Sequence, residues 1–172
     1  DVGGVLTIES NIPVGYGYGS STADVMAAIR AAAAAAGATL RRSNVCRLSV
    51  EAEGASDAIA YGDQAVLFAH REGCILEHFG DDYPPLLVVG FQTDSAHRID
   101  TLGLPRARYD GQEIEQFRVL RGLACHAVRQ QDPSLIGRVA TASARISQKY
   151  LAKPCYEPVL KLGQDHGACG VQ

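Results

Sequence analysis

An α+β fold is what this sequence predicts, and three observations carry the prediction. An alternating stretch runs through a glycine-rich turn into an alanine-rich segment, two apolar runs flank a short turn, and two long stretches further on carry helical periodicity. At 172 residues the chain has room for one ordinary domain or two small lobes, with a core that needs no staples.

The first element is residues 4–10, Gly-Val-Leu-Thr-Ile-Glu-Ser, whose alternation of apolar and polar residues reads as a half-buried strand. Glycines then punctuate Pro13-Val14-Gly15-Tyr16-Gly17-Tyr18-Gly19-Ser20-Ser21. Residues 22–36 predict a helix, because alanine is the strongest helix former and Gly37 can close the C-terminus. Ser43 is the expected N-cap of a second helix with Val45, Leu48 and Ala52 on one side and Gly54 at its end. Residues 65–70 and 74–79 read as a hairpin about Arg71-Glu72-Gly73. The polar, proline-ended stretch 81–85 is the expected boundary, giving lobes at 1–83 and 84–172. Residues 86–91 form an apolar run expected as a buried strand. Residues 112–131 and 133–151 are expected to be helical, with Ile114, Phe117, Leu120 and Leu123 on one face.

Composition narrows the function classes. A formal net charge of −3 with scattered cations offers no basic stripe for nucleic acid. The most apolar run, 25–38, is interrupted by Arg30 and too short to span a bilayer, so no membrane partner is expected. Five cysteines without a Cys-x-x-Cys pair, and five histidines without metal-binding spacing, argue for reduced thiols in the cytoplasm rather than disulfides or a zinc cage.

A strand entering a glycine-rich turn that opens into a helix makes an anion site. Gly17 and Gly19 permit backbone conformations closed to other residues, and the helix start directs unpaired N–H groups and a positive dipole end at the turn. Ser20 and Ser21 add hydroxyls, one to cap the helix and one to reach a phosphate or its magnesium. The plainer alternative is a strand-to-helix turn with a serine N-cap. No Walker loop is present, because Gly-Lys-Ser/Thr does not occur, and a dinucleotide fingerprint would need glycine at Ser20 or Thr22.

The stretch resembles the second motif of the GHMP kinases, which reads Pro, three residues, then Gly-Leu-Gly-Ser-Ser-Ala-Ala. Pro13, Gly17, Gly19, Ser20, Ser21 and Ala23 fall in register, with Tyr18 replacing the leucine and Thr22 the first alanine. Ile12-Pro13-Val14-Gly15 followed by Ser20-Ser21-Thr22-Ala23-Asp24 is most similar to the L-threonine kinase branch linked to propanediol utilisation and cobalamin. That branch carries Lys-Gly-Met-Ala where this chain has Tyr16-Gly17-Tyr18-Gly19.

The resemblance implies ATP and Mg²⁺ as cofactors and a small-molecule hydroxyl as acceptor, best taken as L-threonine. Another acceptor, or nucleotide binding without turnover, is the alternative. It implies that Pro13, Gly15, Tyr16, Gly17, Tyr18, Gly19, Ser20, Ser21 and Thr22 bind the ATP phosphates. Ser21 and Glu51 are then the magnesium ligands, with Glu53 able to replace Glu51, and Asp57 is the catalytic residue. Gly167-Ala168-Cys169-Gly170 resembles the third motif, with Cys169 where Gly or Ser is usual. The implied architecture is a two-lobed α+β fold, with a ribosomal S5-like N-terminal lobe and a ferredoxin-like C-terminal one. Because the family places several tens of residues before the second motif, the chain is expected to be truncated at both ends. The strand at 4–10 would then be an open edge.

Overall fold

The computed structural model describes residues 3–91 and 107–172. Helix α1 (Ser20–Ala35) is followed by α2 (Arg42–Glu53), a 3₁₀ turn (Ala58–Tyr61), strands β1 (Ala65–Ala69) and β2 (Cys74–Gly80), then α3 (Gly111–Arg129), α4 (Pro133–Ser147) and α5 (Tyr156–Asp165). This mixture of helices with a small sheet is an α+β composition. The described residues form two compact units, 3–78 and 79–91 with 107–172, so the packing boundary falls within β2, near the polar stretch 81–85.

In the first unit α1 packs along α2. Met26, Val45, Cys46 and Ala60 are buried together, with Ile29, Leu40, Tyr61 and Phe68 packed against them. Burying a side chain such as Met26 contributes about 1.5–3 kcal/mol. The alanines of α1 let it lie close to α2, and its end is a Schellman motif. Gly37 takes a left-handed φ of 69°, and its N–H and that of Ala38 donate to the Ala34 and Ala33 carbonyls at 3.0 and 2.8 Å. Gly54 ends α2 in the same left-handed region, with φ 76°.

In the first unit some expectations change and the hairpin holds. Residues 4–10 form no strand: Val5 is 96% exposed, and no described segment pairs with them, without which a strand has no ladder. Helix α2 starts earlier than expected, with Arg41 as N-cap and Ser43 inside the first turn. Its buried residues are Val45, Cys46 and Ser49, while Ala52 is exposed. The hairpin forms as a two-stranded sheet, with Gly73 at φ 65° in the turn.

The second unit is helical among its described residues, apart from the end of β2. The apolar run 86–91 is not a buried strand. Leu87 is 92% exposed, and no described segment pairs with it. Helices α3 and α4 form an antiparallel pair joined at Gln130-Gln131-Asp132. Asp110 and Glu113 make a capping box on α3, each side chain bonded to the other's N–H at 2.9 Å. Asp132 caps α4, whose first residue is Pro133. The buried residues of α3 are Ala127 and Val128, near its C-terminus; Ile114 and Leu123, expected on an inner face, are exposed. Helix α5, which no sequence signal marked, packs Tyr156 and Leu160 on Ala144 of α4. None of the described helices is long and apolar enough to cross a membrane.

Glu113 ties the start of α3 to the end of α4. It accepts from Lys149 Nζ at 2.8 Å and from the Tyr150 hydroxyl at 2.7 Å. The hydrogen bonds from Lys149, Tyr150 and the Asp110 amide hold its carboxyl at about 2, below its ordinary 4.5. A depressed carboxyl stabilises the fold above the unfolded value, and that contribution is lost as pH falls through the folded one. Glu113→Gln should therefore lower Tm at pH 7, and the difference from the unaltered chain should shrink as pH falls from 4.5 towards about 2. Thermal melts of both proteins across that range test this.

Candidate phosphate-binding site

The glycine-rich turn is built as its composition demands. Gly15, Gly17 and Gly19 all lie at positive φ, 86°, 77° and 69°. Gly19, rather than a serine, is the N-cap of α1, and no side chain caps the helix there. Ser20 and Ser21 are thus the first helical residues. The amides at this helix start have no serine cap to satisfy them, and the dipole end favours an anion. Tyr16 and Tyr18 hold their rings exposed beside the turn, and Pro13 is likewise exposed.

The helix start is fastened to the end of α2. Ser21 Oγ donates to Glu53 Oε2 at 2.5 Å, and Thr22 Oγ1 donates to Glu53 Oε1 at 2.9 Å. Thr22 Oγ1 also accepts from the Asp57 N–H at 3.3 Å. The buried Thr22 hydroxyl therefore links α1, α2 and the loop after α2. That loop is held on its other side by the Ser56 N–H, which donates to the His70 carbonyl at 2.7 Å. Asp57 itself lies against the turn: a Cβ added to Gly19 would stand 2.9 Å from Asp57 Oδ2. Glycine is required there both by its φ and by the approach of this carboxylate.

Of the residues expected at the site, Pro13 through Thr22 form one continuous turn and helix start, and Asp57 is brought to it. Glu51 is not. Its carboxylate pairs with Arg47 at 2.5 Å along the exposed face of α2, whereas Glu53 faces Ser21 and Thr22. Two residues along a helix rotate a side chain by about 200°, so only one of the two can face α1. The sequence held a signal for Glu53. It continues the buried positions Val45 and Ser49 at steps of four, and Ser49, whose Oγ donates to the Val45 carbonyl at 2.9 Å, is a core residue despite its polarity.

The donor set is all oxygen. A serine hydroxyl and a carboxylate in contact suit a hard divalent cation such as Mg²⁺, which takes one or two protein oxygens and completes its shell with phosphate and water. No cluster of three or more His, Cys, Asp or Glu suited to a metal occurs among the described residues, and His97 lies outside them. The glycine turn 167–170 lies in the second unit, with Gly167 at φ 72°.

Thr22→Ala removes a buried hydroxyl that serves two partners, and leaves the Asp57 N–H without its acceptor. A loss of about 1–3 kcal/mol is expected, with Thr22→Ser retaining most of the stability. Urea unfolding of the three proteins measures this directly.

Residues 2–70 match the GHMP kinases N terminal domain. The chain is 30% identical over 167 residues to the L-threonine kinase of Salmonella typhimurium, an alignment covering 93% of this chain and 53% of that protein. The chain thus spans about half the length of that relative. No solved structure gives a significant match. By the matched domain, the alignment and the motif from Pro13 to Ala23, residues 2–70 of this chain are similar to the N-terminal domain of the GHMP kinases, and the chain is similar to L-threonine kinase.

Proposed function

We propose that this chain serves an ATP-dependent small-molecule kinase, and that its acceptor is L-threonine, yielding O-phospho-L-threonine. The observation that carries the reading is the junction of Ser21, Thr22 and Glu53 at the start of α1, directly beyond three glycines at positive φ. Such a turn cradles phosphate with backbone N–H groups and the helix dipole. The amides of residues 17–21 take the β- and γ-phosphates of ATP, and the neighbouring residues 13–16 and Thr22 shape the turn. The matched domain supports the kinase class, and the relative's name supports the acceptor.

Ser21 Oγ and the Glu53 carboxylate are the chain's ligands for Mg²⁺, with Glu53 taking the place expected of Glu51. Bound there, the ion would neutralise charge that builds on the transferring phosphoryl group. Thr22 keeps Glu53 aimed at Ser21, and Arg47 keeps Glu51 turned away. Asp57, carried to the turn by its own backbone bond to Thr22, accepts at Oδ2 the proton of the acceptor hydroxyl. The same reading includes the family's two lobes, S5-like and ferredoxin-like. The five cysteines are unpaired, which suits a reducing cytoplasm.

Two outcomes test the reading. In a panel of L-threonine, homoserine, galactose and mevalonate, ADP release should be greatest with L-threonine. A preference for galactose or mevalonate would overturn the acceptor. Glu53→Gln should lower kcat by about 10²–10³ while the ATP affinity changes little, and Glu51→Gln should leave kcat within about twofold. The reverse pattern would return the metal to Glu51.

A further inference from the structure

Thr22 stands where the motif it resembles carries alanine, and the residue is only 5% exposed. Its hydroxyl has a single hydrogen to donate, and its oxygen accepts from the Asp57 N–H at 3.3 Å. A backbone N–H can only donate, and a carboxylate can only accept, so the direction of both bonds is settled. The Thr22 hydrogen goes to Glu53 Oε1 at 2.9 Å. That carboxylate oxygen is thereby committed to a buried side chain that has no other acceptor to turn to.

The other oxygen of Glu53 is held differently. Oε2 accepts from Ser21 Oγ at 2.5 Å, and Ser21 is exposed. The Ser21 hydroxyl makes no further hydrogen bond among the described residues, so it can turn its hydrogen away and present a lone pair. The two oxygens of one carboxylate are therefore unequal. Oε1 meets a donor fixed in place and direction, whereas Oε2 meets a surface donor that can give way. Alanine at position 22 would leave them equivalent.

We infer that Thr22 restricts Glu53 to ligating a divalent cation through one oxygen, Oε2, and thereby makes the site selective for Mg²⁺ over Ca²⁺. Thr22 is a positioning residue, because it acts on the cation only through Glu53. Mg²⁺ is held by few protein oxygens and keeps several waters, whereas Ca²⁺ takes about six to eight oxygens and readily uses both of a carboxylate. A carboxylate with one oxygen withheld satisfies the first ion and leaves the second short of ligands. Outer partners that orient a metal ligand typically change metal affinity by about 10–100-fold. The inference rests on the reading of Ser21 and Glu53 as metal ligands, and adds which oxygen binds and which ion is favoured.

The experiment titrates Mg²⁺ and Ca²⁺ by calorimetry into the full chain bearing β,γ-imido-ATP, with the chain in excess over nucleotide, and takes the ratio of the two Kd values. Thr22→Val keeps the shape of the buried side chain and removes its hydroxyl. It should shift the ratio towards Ca²⁺ about tenfold or more, and Thr22→Ser should keep the ratio within about twofold of the unaltered chain. A merely structural role for Thr22 would weaken both metals alike and leave the ratio unmoved. An unmoved ratio in Thr22→Val, or an equal shift in Thr22→Ser, would overturn this inference alone, since Mg²⁺ binding by the unaltered chain would still support the kinase reading. A second measurement needs no variant, should Thr22→Val fail to fold. Infrared difference spectra of the unaltered complex on adding Mg²⁺ should show the wide splitting of carboxylate stretches that marks ligation by one oxygen. The narrow splitting of two-oxygen ligation would overturn the inference. If the unaltered complex takes up Mg²⁺ no more tightly than free imido-ATP does, this inference and the metal-ligand reading fall together.

Discussion

Glu53 is a carboxylate with both oxygens engaged by hydroxyls from the first turn of a neighbouring helix, and the first unit is organised by that engagement. The C-terminus of α2 must lie at the N-terminus of α1 for the bonds to form. Ser21 and Thr22 must be helical, so the residue before Ser20 must turn the chain sharply. Gly19 does so at a φ that other residues resist. The loop beyond α2 then returns to the same point, where the Asp57 N–H finds Thr22 Oγ1. One polar junction thus sets the ends of two helices and the position of a second carboxylate.

Apolar packing allows this junction without defining it. Met26, Val45, Cys46 and Ala60 bring α1 and α2 together, and such burial is non-directional. The rotation of α2 about its axis is what decides which glutamate faces inward. Burial of Val45, Cys46 and Ser49 fixes that rotation, and Glu53 continues their stripe. Glu51 is left on the outside, where Arg47 meets it in an exposed pair that carries little stability.

The readable parts of the site were those where a single residue type can do the job. Glycines at positions 15, 17 and 19 announce positive φ, and two serines before an alanine run announce a helix start. Gly37, Gly54 and Gly73 marked two helix ends and the hairpin turn for the same reason. The choice between Glu51 and Glu53 was hidden, because it depends on a helix face defined by a buried serine and a buried cysteine, which hydropathy alone places poorly. The runs at 4–10 and 86–91 misled for a different reason. Alternation or apolarity describes a strand's side chains, whereas a strand forms only when another segment supplies its hydrogen bonds. Helix α5 escaped notice because Pro158 and Gly163 interrupt a segment of only ten residues, and packing of Tyr156 and Leu160 on α4 outweighs that weak propensity.

The account stands on the claim that the start of α1 receives phosphate and is completed by Glu53. Hydrogen exchange of the backbone amides, followed by mass spectrometry with and without MgATP, addresses it without assuming an acceptor. The account predicts slowed exchange at residues 17–22 and in the segment 53–57 on addition of MgATP, with no slowing in a Glu53→Gln, Ser21→Ala protein once Mg²⁺ is limiting. Unchanged exchange at residues 17–22 under saturating MgATP would contradict it.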